Sequence, residues 1–279
     1  MEYFIFNGKY HAEESLILSS NSRGLKFGDG LFETMKSCNG ALQLCDEHFA
    51  RLWKGLQVLD LKLPKQVTPD LLQLEITNLL KKNSHHKMAR IRLTIFRGDG
   101  GLYDEQKQKS DYLIQTWGLP DDIGAWNSNG LVLGIYTEVK KSCDILSNLK
   151  HNNFLPYAMA AYHAKKEKWN DAVLLNTHSR LSDTTIANIF LIKDEVIYTP
   201  ALTEGPIAGV MRKNIINVLT AVNRKPIEKP LSVDDLINAD EVFLSNSIYH
   251  IRWVQGIGDK KYANTQTQKI YSLVYPTKR

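Results

Sequence analysis

The stretch Ser147-Asn148-Leu149-Lys150-His151-Asn152-Asn153-Phe154-Leu155 leads from irregular sequence into a helix predicted over about residues 154–169. A lysine at such a junction can be half-buried, where its amine is a competent nucleophile toward an aldehyde. The competing interpretation is a solvated surface lysine, which is the usual setting of this residue type. Lys150 is therefore the first candidate for chemistry, and the segments around it must decide between the two interpretations.

Two segments that follow Lys150 carry further candidates. Residues 181–190, Leu-Ser-Asp-Thr-Thr-Ile-Ala-Asn-Ile-Phe, place Asp183 among small and hydroxyl residues between predicted strands. Such a carboxylate can point into a cleft, although capping a helix or a turn is its more common use. Residues 204–212, Glu-Gly-Pro-Ile-Ala-Gly-Val-Met-Arg, precede a helical pattern, where backbone N–H groups reached through glycine can bind phosphate. An ordinary glycine-rich turn has the same composition.

Two segments that precede Lys150 are equally open to two interpretations. His48-Phe49-Ala50-Arg51-Leu52 lies on a predicted helix, and Arg51 falls off the apolar stripe of that helix. Arg51 therefore faces water or a ligand, and the helical pattern alone favours water. Residues 23–34, Arg-Gly-Leu-Lys-Phe-Gly-Asp-Gly-Leu-Phe-Glu-Thr, form a predicted loop that enters a strand, and its glycines could be only turn or bulge residues.

The predicted strands are short and are bounded by turn residues. The pairs Asn7-Gly8 and Asn39-Gly40 predict type I′ hairpins. Residues 90–96 alternate between apolar and polar side chains, which is typical of a half-buried strand. The other predicted strands are Tyr3–Phe6, Leu31–Ser37, Ala41–Leu44, Tyr112–Thr116, Leu131–Tyr136, Ala172–Leu175, Ile189–Ile192, Val196–Thr199 and Val242–Ser245.

Predicted helices are interspersed with these strands. Asp46 can cap the helix that carries Arg51, and Pro64 should end it. A second helix begins at about Pro69, a favourable first-turn proline, and runs to about Lys82. The remaining predicted helices are residues 154–169, Met211–Val222, Val233–Asn238 and Gln268–Val274.

The mixture of strands and helices has no regular βαβ rhythm, so the sequence predicts an α+β fold. A stretch rich in Gly, Pro, Asp and Asn interrupts the periodic pattern at residues 118–130. We therefore predict an N-terminal α+β domain over residues 1–117, a linker over 118–130 and a C-terminal domain over 131–279.

Composition narrows the classes of function. The chain has 279 residues, and its hydrophobic content of 43% is ordinary for a globular protein. Its net charge of +5 is dispersed along the sequence, which argues against a nucleic-acid-binding surface. No stretch approaches the roughly 20 apolar residues of a membrane helix, and the N-terminus does not resemble a signal peptide. Cys38, Cys45 and Cys143 are scattered, which predicts free thiols in a reducing cytosol and no metal site. These observations predict a cytoplasmic protein.

Taken together and in this order, the motifs resemble the class IV aminotransferase family, the fold type IV pyridoxal phosphate enzymes, from about Phe6 to Trp253. Within that family's pattern the cofactor lysine matches Lys150, which is followed by Asn153-Phe154. The H-x-x-R-L motif matches residues 48–52, and the cradle motif Gly-(Ile/Val)-Thr-Arg matches residues 209–212. The family's acid lies five residues before an asparagine, which gives Asp183 and Asn188, and its late hydroxyl gives Ser247, after Phe243-Leu244-Ser245-Asn246.

The resemblance implies a two-domain enzyme with a small N-terminal α/β domain and a larger, barrel-like C-terminal domain. It implies pyridoxal 5′-phosphate as the cofactor, carried by Lys150 as a Schiff base, with the same lysine as the catalytic base. Asp183 would meet the pyridine nitrogen. The other residues of the implied cofactor site are Arg51, Asn188, Gly209, Val210, Met211 and Ser247. It also implies a homodimer that acts on a small amino substrate and needs no metal.

Three positions depart from the family's usual residues. Asp183 replaces a glutamate, so its carboxylate is one methylene shorter. Phe154 replaces a tyrosine whose hydroxyl can reach the cofactor, and Met211 replaces a threonine that contacts the phosphate. The departures leave Lys150 and the cradle in place and alter the surroundings of the cofactor ring.

The subtype is decided by smaller features. Residues 28–34, Gly-Asp-Gly-Leu-Phe-Glu-Thr, resemble the form found in lyases and D-amino-acid enzymes, and the loop at residues 97–103 lacks the Arg-x-His trap of the latter. We therefore expect 4-amino-4-deoxychorismate lyase activity, which yields p-aminobenzoate and pyruvate for folate biosynthesis. The alternatives are a branched-chain or D-amino-acid transaminase that uses 2-oxoglutarate, and a degenerate relative without catalysis. Arg92, Tyr103 and Phe32 are positional candidates for substrate contacts, with core packing as the alternative for Phe32.

Overall fold

A computed structural model describes residues 2–104 and 110–275, so the outer ends of the two predicted domains, residues 1 and 276–279, lie outside the described residues. The chain divides into two compact units. The first takes the chain up to Ile123 together with Leu149–Asn153, and the second takes Gly124–Asn148 and the chain from Phe154 onward. The sequence-based boundaries keep residues 131–279 in one domain, whereas the five residues around Lys150 group with the first unit.

The first unit is an antiparallel six-stranded sheet with the order β2-β1-β6-β5-β3-β4 and three helices. The predicted Asn-Gly hairpins are confirmed: both residues of each pair have positive φ, as type I′ turns require. Its strands are β1 Tyr3–Phe6, β2 Lys9–Ala12, β3 Gly30–Cys38, β4 Ala41–Leu42, β5 Met88–Arg97 and β6 Ser110–Gly118, and its helices are α1 Arg23–Phe27, α2 Cys45–Val58 and α3 Pro69–Lys82.

The core of the first unit lies between the sheet and helices α2 and α3. The alternation predicted over residues 90–96 is confirmed, because Ile91, Leu93 and Ile95 are fully buried while their neighbours point away from the core. Leu149 belongs to this same core, although it lies far from the rest of the unit in sequence. Burial of an apolar side chain here stabilises the fold by roughly 1.5–3 kcal/mol, so Leu149 contributes to attaching the Lys150 segment.

Three local predictions in the first unit are wrong. The N-cap of α2 is Leu44, and Asp46 lies inside the first turn, where a carboxylate favours the positive end of the helix dipole. Helix α2 ends at Val58, before Pro64, because Asp60 adopts a left-handed conformation with φ 47°. Residues 23–27 form a short helix rather than a loop, since the hydroxyl of Ser22 caps it.

The second unit is built on a nine-stranded sheet with the order β12-β11-β10-β13-β14-β7-β8-β9, from which β15 pairs with β14. The pairs β7–β8, β7–β14 and β11–β12 are parallel, and the others are antiparallel. The strands are β7 Leu131–Lys141, β8 Asp171–Asn176, β9 Leu181–Thr184, β10 Asn188–Lys193, β11 Val196–Pro200, β12 Ile227–Lys229, β13 Glu241–Asn246, β14 His250–Ile257 and β15 Lys260–Lys261.

Four helices accompany this sheet: α4 Leu155–Lys166, α5 Val210–Ala221, α6 Val233–Asn238 and α7 Thr265–Val274. Helix α4 packs on β7 and β8, and α5 and α7 pack on β13. Helix α6 coincides with its prediction because Ser232 and Asp235 form a reciprocal capping box. Strands β9, β12, β14 and β15 were not predicted, and β9 places Asp183 in a buried strand rather than at a cap or turn.

The two sheets with their separate helices confirm the predicted α+β fold class. The longest helices in the described ranges, α2 and α3, have 14 residues each. Across residues 2–104 and 110–275, no helix combines the length and the apolar character that crossing a membrane demands.

Candidate active site

Lys150 is held by the backbone of β3 in the first unit. The N–H of Phe32 donates to the carbonyl of Lys150 at 2.9 Å, and the N–H of Asn152 donates to the carbonyl of Gly30 at 2.8 Å. Between these bonds Leu31 and His151 form an isolated antiparallel bridge. The Lys150 segment therefore extends the backbone pairing of the sheet over a short stretch, and the interpretation as a solvated surface loop is wrong.

The glycines of the Gly-Asp-Gly motif make room for this segment. A Cβ on Gly30 would lie 2.3 Å from the carbonyl oxygen of Ile95 and 2.5 Å from Nδ2 of Asn152, which no side chain tolerates. Gly28 has φ +65° and caps α1, and a Cβ there would lie 3.3 Å from the backbone nitrogen of Asn153. Gly30 is therefore required mainly by the backbone of β5 and Gly28 by its left-handed conformation, and the lysine-bearing segment approaches both closely.

The side chain of Lys150 is half-buried beside an aromatic ring. Its Nζ lies 4.5 Å from the centroid of the Phe32 ring, and Cζ of Arg92 lies 3.8 Å from the same centroid. Such cation–π contacts are worth about 0.5–2 kcal/mol each, depending on desolvation. Phe32 thus brings the two cations Lys150 and Arg92 to one ring, which gives it a role other than core packing.

Arg51 does not face water, as the helical pattern alone favoured, but is paired with Glu33 of β3. Nε of Arg51 donates to Oε1 of Glu33 at 2.8 Å, and its Nη2 donates to Oε2. Nδ1 of His48 lies 2.7 Å from the same Oε2. This bidentate, buried arrangement fixes the plane of the guanidinium.

The charges around Glu33 are strongly coupled. Burial by itself raises the pKa of the Glu33 carboxyl, but the Arg51 guanidinium and the hydrogen bond with His48 outweigh burial and lower the pKa to about 2. Glu33 is therefore ionised across the physiological range. Strand β3 contains Glu33, which binds Arg51, and it also pairs with the Lys150 segment. Both Lys150 and Arg51 are therefore held by residues of the same strand.

Asp183 lies in the second unit, on β9, and is almost completely buried. Its Oδ2 accepts hydrogen bonds from Nζ of Lys141 at 3.1 Å, from Oη of Tyr157 at 2.9 Å and from the N–H of Ile207 at 3.0 Å. Lys141 and Tyr157 also contact each other. The other oxygen, Oδ1, is buried and accepts no hydrogen bond from any residue within the described ranges.

The partners of Asp183 are themselves buried ionisable groups. Burial lowers the pKa of Lys141, and the neighbouring Asp183 carboxylate counteracts that effect. Burial, the Asp183 charge and the hydrogen bond to it all raise the pKa of Tyr157 well above its usual value. Tyr157 is therefore a neutral hydrogen-bond donor at physiological pH, and Asp183 has one saturated and one open oxygen.

The predicted phosphate cradle is the first turn of α5. Gly209 is the N-cap residue and offers no side-chain cap, so the first N–H groups of the helix have no intrahelical partner. A Cβ on Gly209 would lie 1.9 Å from Oδ1 of Asn188, whose Nδ2 donates to the carbonyl of Ile207 at 2.9 Å. Asn188 therefore fixes Ile207 in the segment that precedes the helix. The N–H of Ile207 in turn links this segment to Asp183.

The side chains that follow Gly209 turn away from this helix start. Oη of Tyr275 donates to Sδ of buried Met211. Nη2 of Arg212 donates to the carbonyl of Pro200 at 3.0 Å and pairs with Glu228. Met211, where the family has threonine, thus serves packing, and the backbone N–H groups of Val210 and Met211 are what the cradle can offer an anion.

Ser247 lies in the turn between β13 and β14. Asn188 pairs with Ser245 across the sheet, so Ser247, two residues further on, lies at the end of the sheet where β10 begins. The second unit thus brings Asp183, Asn188 and Gly209 into one connected network and leaves Ser247 at the same end of the sheet.

Four residues of these networks were missed from the sequence: Glu33, His48, Lys141 and Tyr157. Two of them had a local signal, because Glu33 lies three residues after the Gly-Asp-Gly motif and His48 is three residues before Arg51 on the same helical face. Lys141 and Tyr157 had none, since they lie 42 and 26 residues from Asp183 and meet it only in the folded structure, from β7 and from α4. In the described part of the chain no cluster of three or more His, Cys, Asp or Glu is arranged to hold a metal ion.

Comparison with known proteins places this arrangement in a family. The model of the amino-transferase class IV family matches residues 30–257. The aminodeoxychorismate lyase of Vibrio harveyi is 31% identical over 237 residues, which are 84% of this chain and 85% of the relative. The D-alanine aminotransferase of Bacillus licheniformis is 26% identical over 259 residues, with 87% and 84% covered.

Solved structures share the fold. The branched-chain aminotransferase of the archaeon Thermoproteus uzoniensis, crystallised with norvaline, superposes with a TM-score of 0.88 at 20% identity, and the match covers 98% of this chain and 93% of that one. The two-domain fold expected from the motifs is thereby confirmed, as is the resemblance itself. The chain belongs to the class IV aminotransferases, a family of pyridoxal phosphate enzymes.

Proposed function

We propose that this protein is a pyridoxal-phosphate-dependent lyase that converts 4-amino-4-deoxychorismate into p-aminobenzoate and pyruvate. The observation that carries the cofactor part is the open, buried Oδ1 of Asp183, because a buried carboxylate oxygen without a donor needs a partner that the described residues do not supply. The lyase part is supported by the 31% identity to the Vibrio harveyi lyase.

The residues present fit pyridoxal phosphate. Oδ1 of Asp183 suits a protonated pyridine nitrogen, which donates one hydrogen bond. The start of α5, where Gly209 allows no Cβ, suits a phosphate. Arg51, with its guanidinium oriented by Glu33, is the proposed phosphate cation, and Ser247 and Asn188 complete the proposed set.

Lys150 is the proposed catalytic residue. Its amine would bond covalently to the cofactor aldehyde, and after a substrate amine displaces it, the free amine would remove the proton beside the substrate nitrogen. When bound, pyridoxal phosphate supplies an electron sink for that step. The two backbone hydrogen bonds to β3 hold the lysine's Cα in a fixed place, which is the positioning that such proton transfer requires.

The proposed substrate is an anion, and the first unit offers cations on one sheet face. Arg92 stacks on Phe32, and Lys36 is buried two residues beyond Thr34 on the same side of β3. Burial lowers the pKa of Lys36 to about 8, although Cys38 counteracts this effect. These positive groups support a carboxylate-bearing substrate, with Arg92 as the proposed contact.

A transaminase is the second candidate, supported by the 26% identity to the D-alanine aminotransferase of Bacillus licheniformis. Both candidates use the same cofactor residues and differ in the fate of the substrate electrons. A homodimer in the cytoplasm, implied by the resemblance, is also proposed. The dimer is supported by an exposed apolar row on α4 that consists of Leu155, Met159 and Tyr162.

The first experiment asks whether the protein holds the cofactor on Lys150. The purified chain mixed with pyridoxal phosphate should gain the visible absorbance of the lysine-bound aldehyde. Lys150→Ala should abolish that absorbance, and Lys140→Ala, an exposed lysine on β7, should leave it unchanged. A protein that stays colourless would overturn the enzyme proposal and favour the degenerate relative.

The second experiment separates the two reactions. Aminodeoxychorismate is supplied to the loaded protein, and p-aminobenzoate is followed by its fluorescence. In parallel, L- and D-amino acids are supplied with 2-oxoglutarate, and glutamate is measured. We expect turnover in the first assay and its loss in Lys150→Ala. Turnover in the second assay alone would replace the lyase by a transaminase.

A further inference from the structure

The cluster around Asp183 contains two buried ionisable residues to which the proposed reaction assigns no step. Lys141 ends β7 and Tyr157 lies in the first turn of α4, so two different elements deliver them to the same carboxylate oxygen. A buried lysine is rare unless it is paired, because removing an ammonium from water is costly. The chain therefore maintains Lys141 at this position at an energetic cost.

The division of hydrogen bonds over the two carboxylate oxygens is uneven. Lys141, Tyr157 and the N–H of Ile207 all donate to Oδ2, at 2.9–3.1 Å, and none donates to Oδ1. Three donors more than fill the roughly two lone-pair sites of one carboxylate oxygen. Because Oδ2 is saturated and directed toward these three groups, the orientation of the carboxylate and hence of Oδ1 is fixed.

We propose that Lys141 and Tyr157 are positioning residues: by occupying Oδ2 they fix the orientation of the Asp183 carboxylate and reserve Oδ1 as the acceptor for a protonated aromatic ring nitrogen. The inference rests on the proposed function, in which that donor is the pyridine nitrogen of pyridoxal phosphate. It extends that function because two residues outside the proposed set of cofactor contacts would give the site its preference for a ligand with a protonated ring nitrogen.

The short side chain of Asp183 makes this support more important. An aspartate reaches one methylene less far than the glutamate that is usual at this position, and it has one fewer torsion with which to adjust. A fixed orientation compensates for a short reach, because the loss of rotamer freedom has already been incurred before the ligand binds. Lys141 supplies that orientation from β7 and Tyr157 from α4.

The test compares two ligands that differ only at the ring nitrogen. Apoprotein is titrated with pyridoxal phosphate and with its 1-deaza analogue, in which a C–H group replaces the ring nitrogen, and the dissociation constants are measured by fluorescence quenching. The ratio of the two constants reports the ring-nitrogen contact alone, because phosphate and aldehyde are common to both ligands. We expect the wild-type protein to prefer pyridoxal phosphate.

Lys141→Met should reduce this preference by about tenfold, since the carboxylate of Asp183 loses its charge-assisted hydrogen bond to Lys141 and with it part of the fixed orientation of Oδ1. Tyr157→Phe should reduce it by about threefold, because the carboxylate loses one of three donors. Lys141→Arg, which retains a cationic donor, should restore part of the preference, which loss of packing alone would not allow. Lys140→Met, a change at the exposed neighbouring lysine, should have no effect.

The outcomes distinguish the inference from the function on which it rests. A wild-type protein that binds neither ligand overturns the proposed function. A wild-type preference that stays the same, or rises, in both Lys141→Met and Tyr157→Phe overturns the role of these residues and leaves the function standing. If Lys141→Met does not fold, Tyr157→Phe decides, because it removes a single hydroxyl group.

Discussion

Two buried carboxylates, Glu33 in the first unit and Asp183 in the second, have similar partners but distribute them differently. Both oxygens of Glu33 are engaged, Oε1 by Arg51 and Oε2 by Arg51 and His48. At Asp183 all three donors share Oδ2, and Oδ1 has no donor among the described residues. The first carboxylate is fully used within the protein, and the second retains an acceptor.

The difference teaches what each carboxylate is for. A saturated carboxylate serves its partner, and Glu33 fixes the guanidinium of Arg51 in one plane. A carboxylate with one open oxygen can serve a ligand, which is the role proposed for Asp183, and Asp183 is itself fixed by its neighbours. A buried carboxylate thus orients a cation in one unit and is itself the oriented anion in the other.

The largest effect is expected at Glu33. Glu33→Gln removes the charge that binds Arg51, and the lowered pKa, about 2 against an ordinary 4.5, corresponds to a loss of about 3 kcal/mol from the free energy of unfolding near neutral pH. Urea unfolding followed by circular dichroism measures this loss. Glu14→Gln, which alters an exposed carboxylate of the same unit, is the control and should cost almost nothing.

The pH dependence provides a second readout for Glu33. A carboxyl with a lowered pKa in the folded state contributes its full stabilisation above its unfolded pKa of about 4.5, and this contribution is lost as the pH falls toward 2. The wild-type protein should therefore lose stability over that interval more steeply than Glu33→Gln. Parallel curves for the two proteins would mean that Glu33 is not the coupled group.

The next effect compares the two glycines that make room in the two units. Gly30→Ala pushes a methyl group against the backbone carbonyl of Ile95, which cannot move without disturbing β5, and we expect a loss of about 2–3 kcal/mol. Gly209→Ala clashes with the side chain of Asn188, which can rotate at the cost of its hydrogen bond to Ile207, about 1 kcal/mol. Thermal unfolding of both variants measures the difference.

The two glycine variants should also differ in how they bind the cofactor. Gly30→Ala displaces the backbone to which Lys150 is bonded, so the rate of cofactor attachment to the lysine should fall. Gly209→Ala alters the phosphate cradle, so the affinity for free phosphate, measured by competition with pyridoxal phosphate, should fall instead. Equal effects of the two variants on both readouts would remove the proposed division of labour.

The smallest effect is expected at Tyr157. In the apoprotein, Tyr157→Phe removes one of three donors to Oδ2, and Lys141 and the N–H of Ile207 remain, so the free energy of unfolding should fall by about 1 kcal/mol. Chemical denaturation measures this change. A loss as large as that of Glu33→Gln would mean that Asp183 depends on its partners as strongly as Arg51 depends on Glu33, and the comparison would no longer hold.

Local chemistry made much of the fold predictable. The Asn-Gly hairpins, helix α3 with its first-turn proline and helix α6 with its capping box all depend on neighbours within a few residues. The errors occurred where a second residue nearby could fulfil the same local role as the predicted one. Asp46 lost the cap position to Leu44, and a left-handed Asp60 ended helix α2 before Pro64 could.

In the candidate site, too, residues in contiguous motifs were predicted, whereas their partners from distant parts of the chain were not. The proposed roles of Lys150, Arg51 and Asp183 came from motifs that are contiguous in sequence. What surrounds them came from pairing between distant strands, which no window of sequence contains, as the separation of Lys141 from Asp183 illustrates. The orientation of Met211 away from the cradle likewise depends on Tyr275, which lies 64 residues later.

The five residues Leu149–Asn153 belong to the first unit, although the chain on either side of them belongs to the second. A fragment that ends at Ile123 would lack the lysine altogether. A fragment that begins at Gly124 would contain it but would lack β3, which supplies its backbone partners Gly30 and Phe32. A division of the gene at the boundary near residue 123 would therefore separate the proposed nucleophile from the strand that holds it.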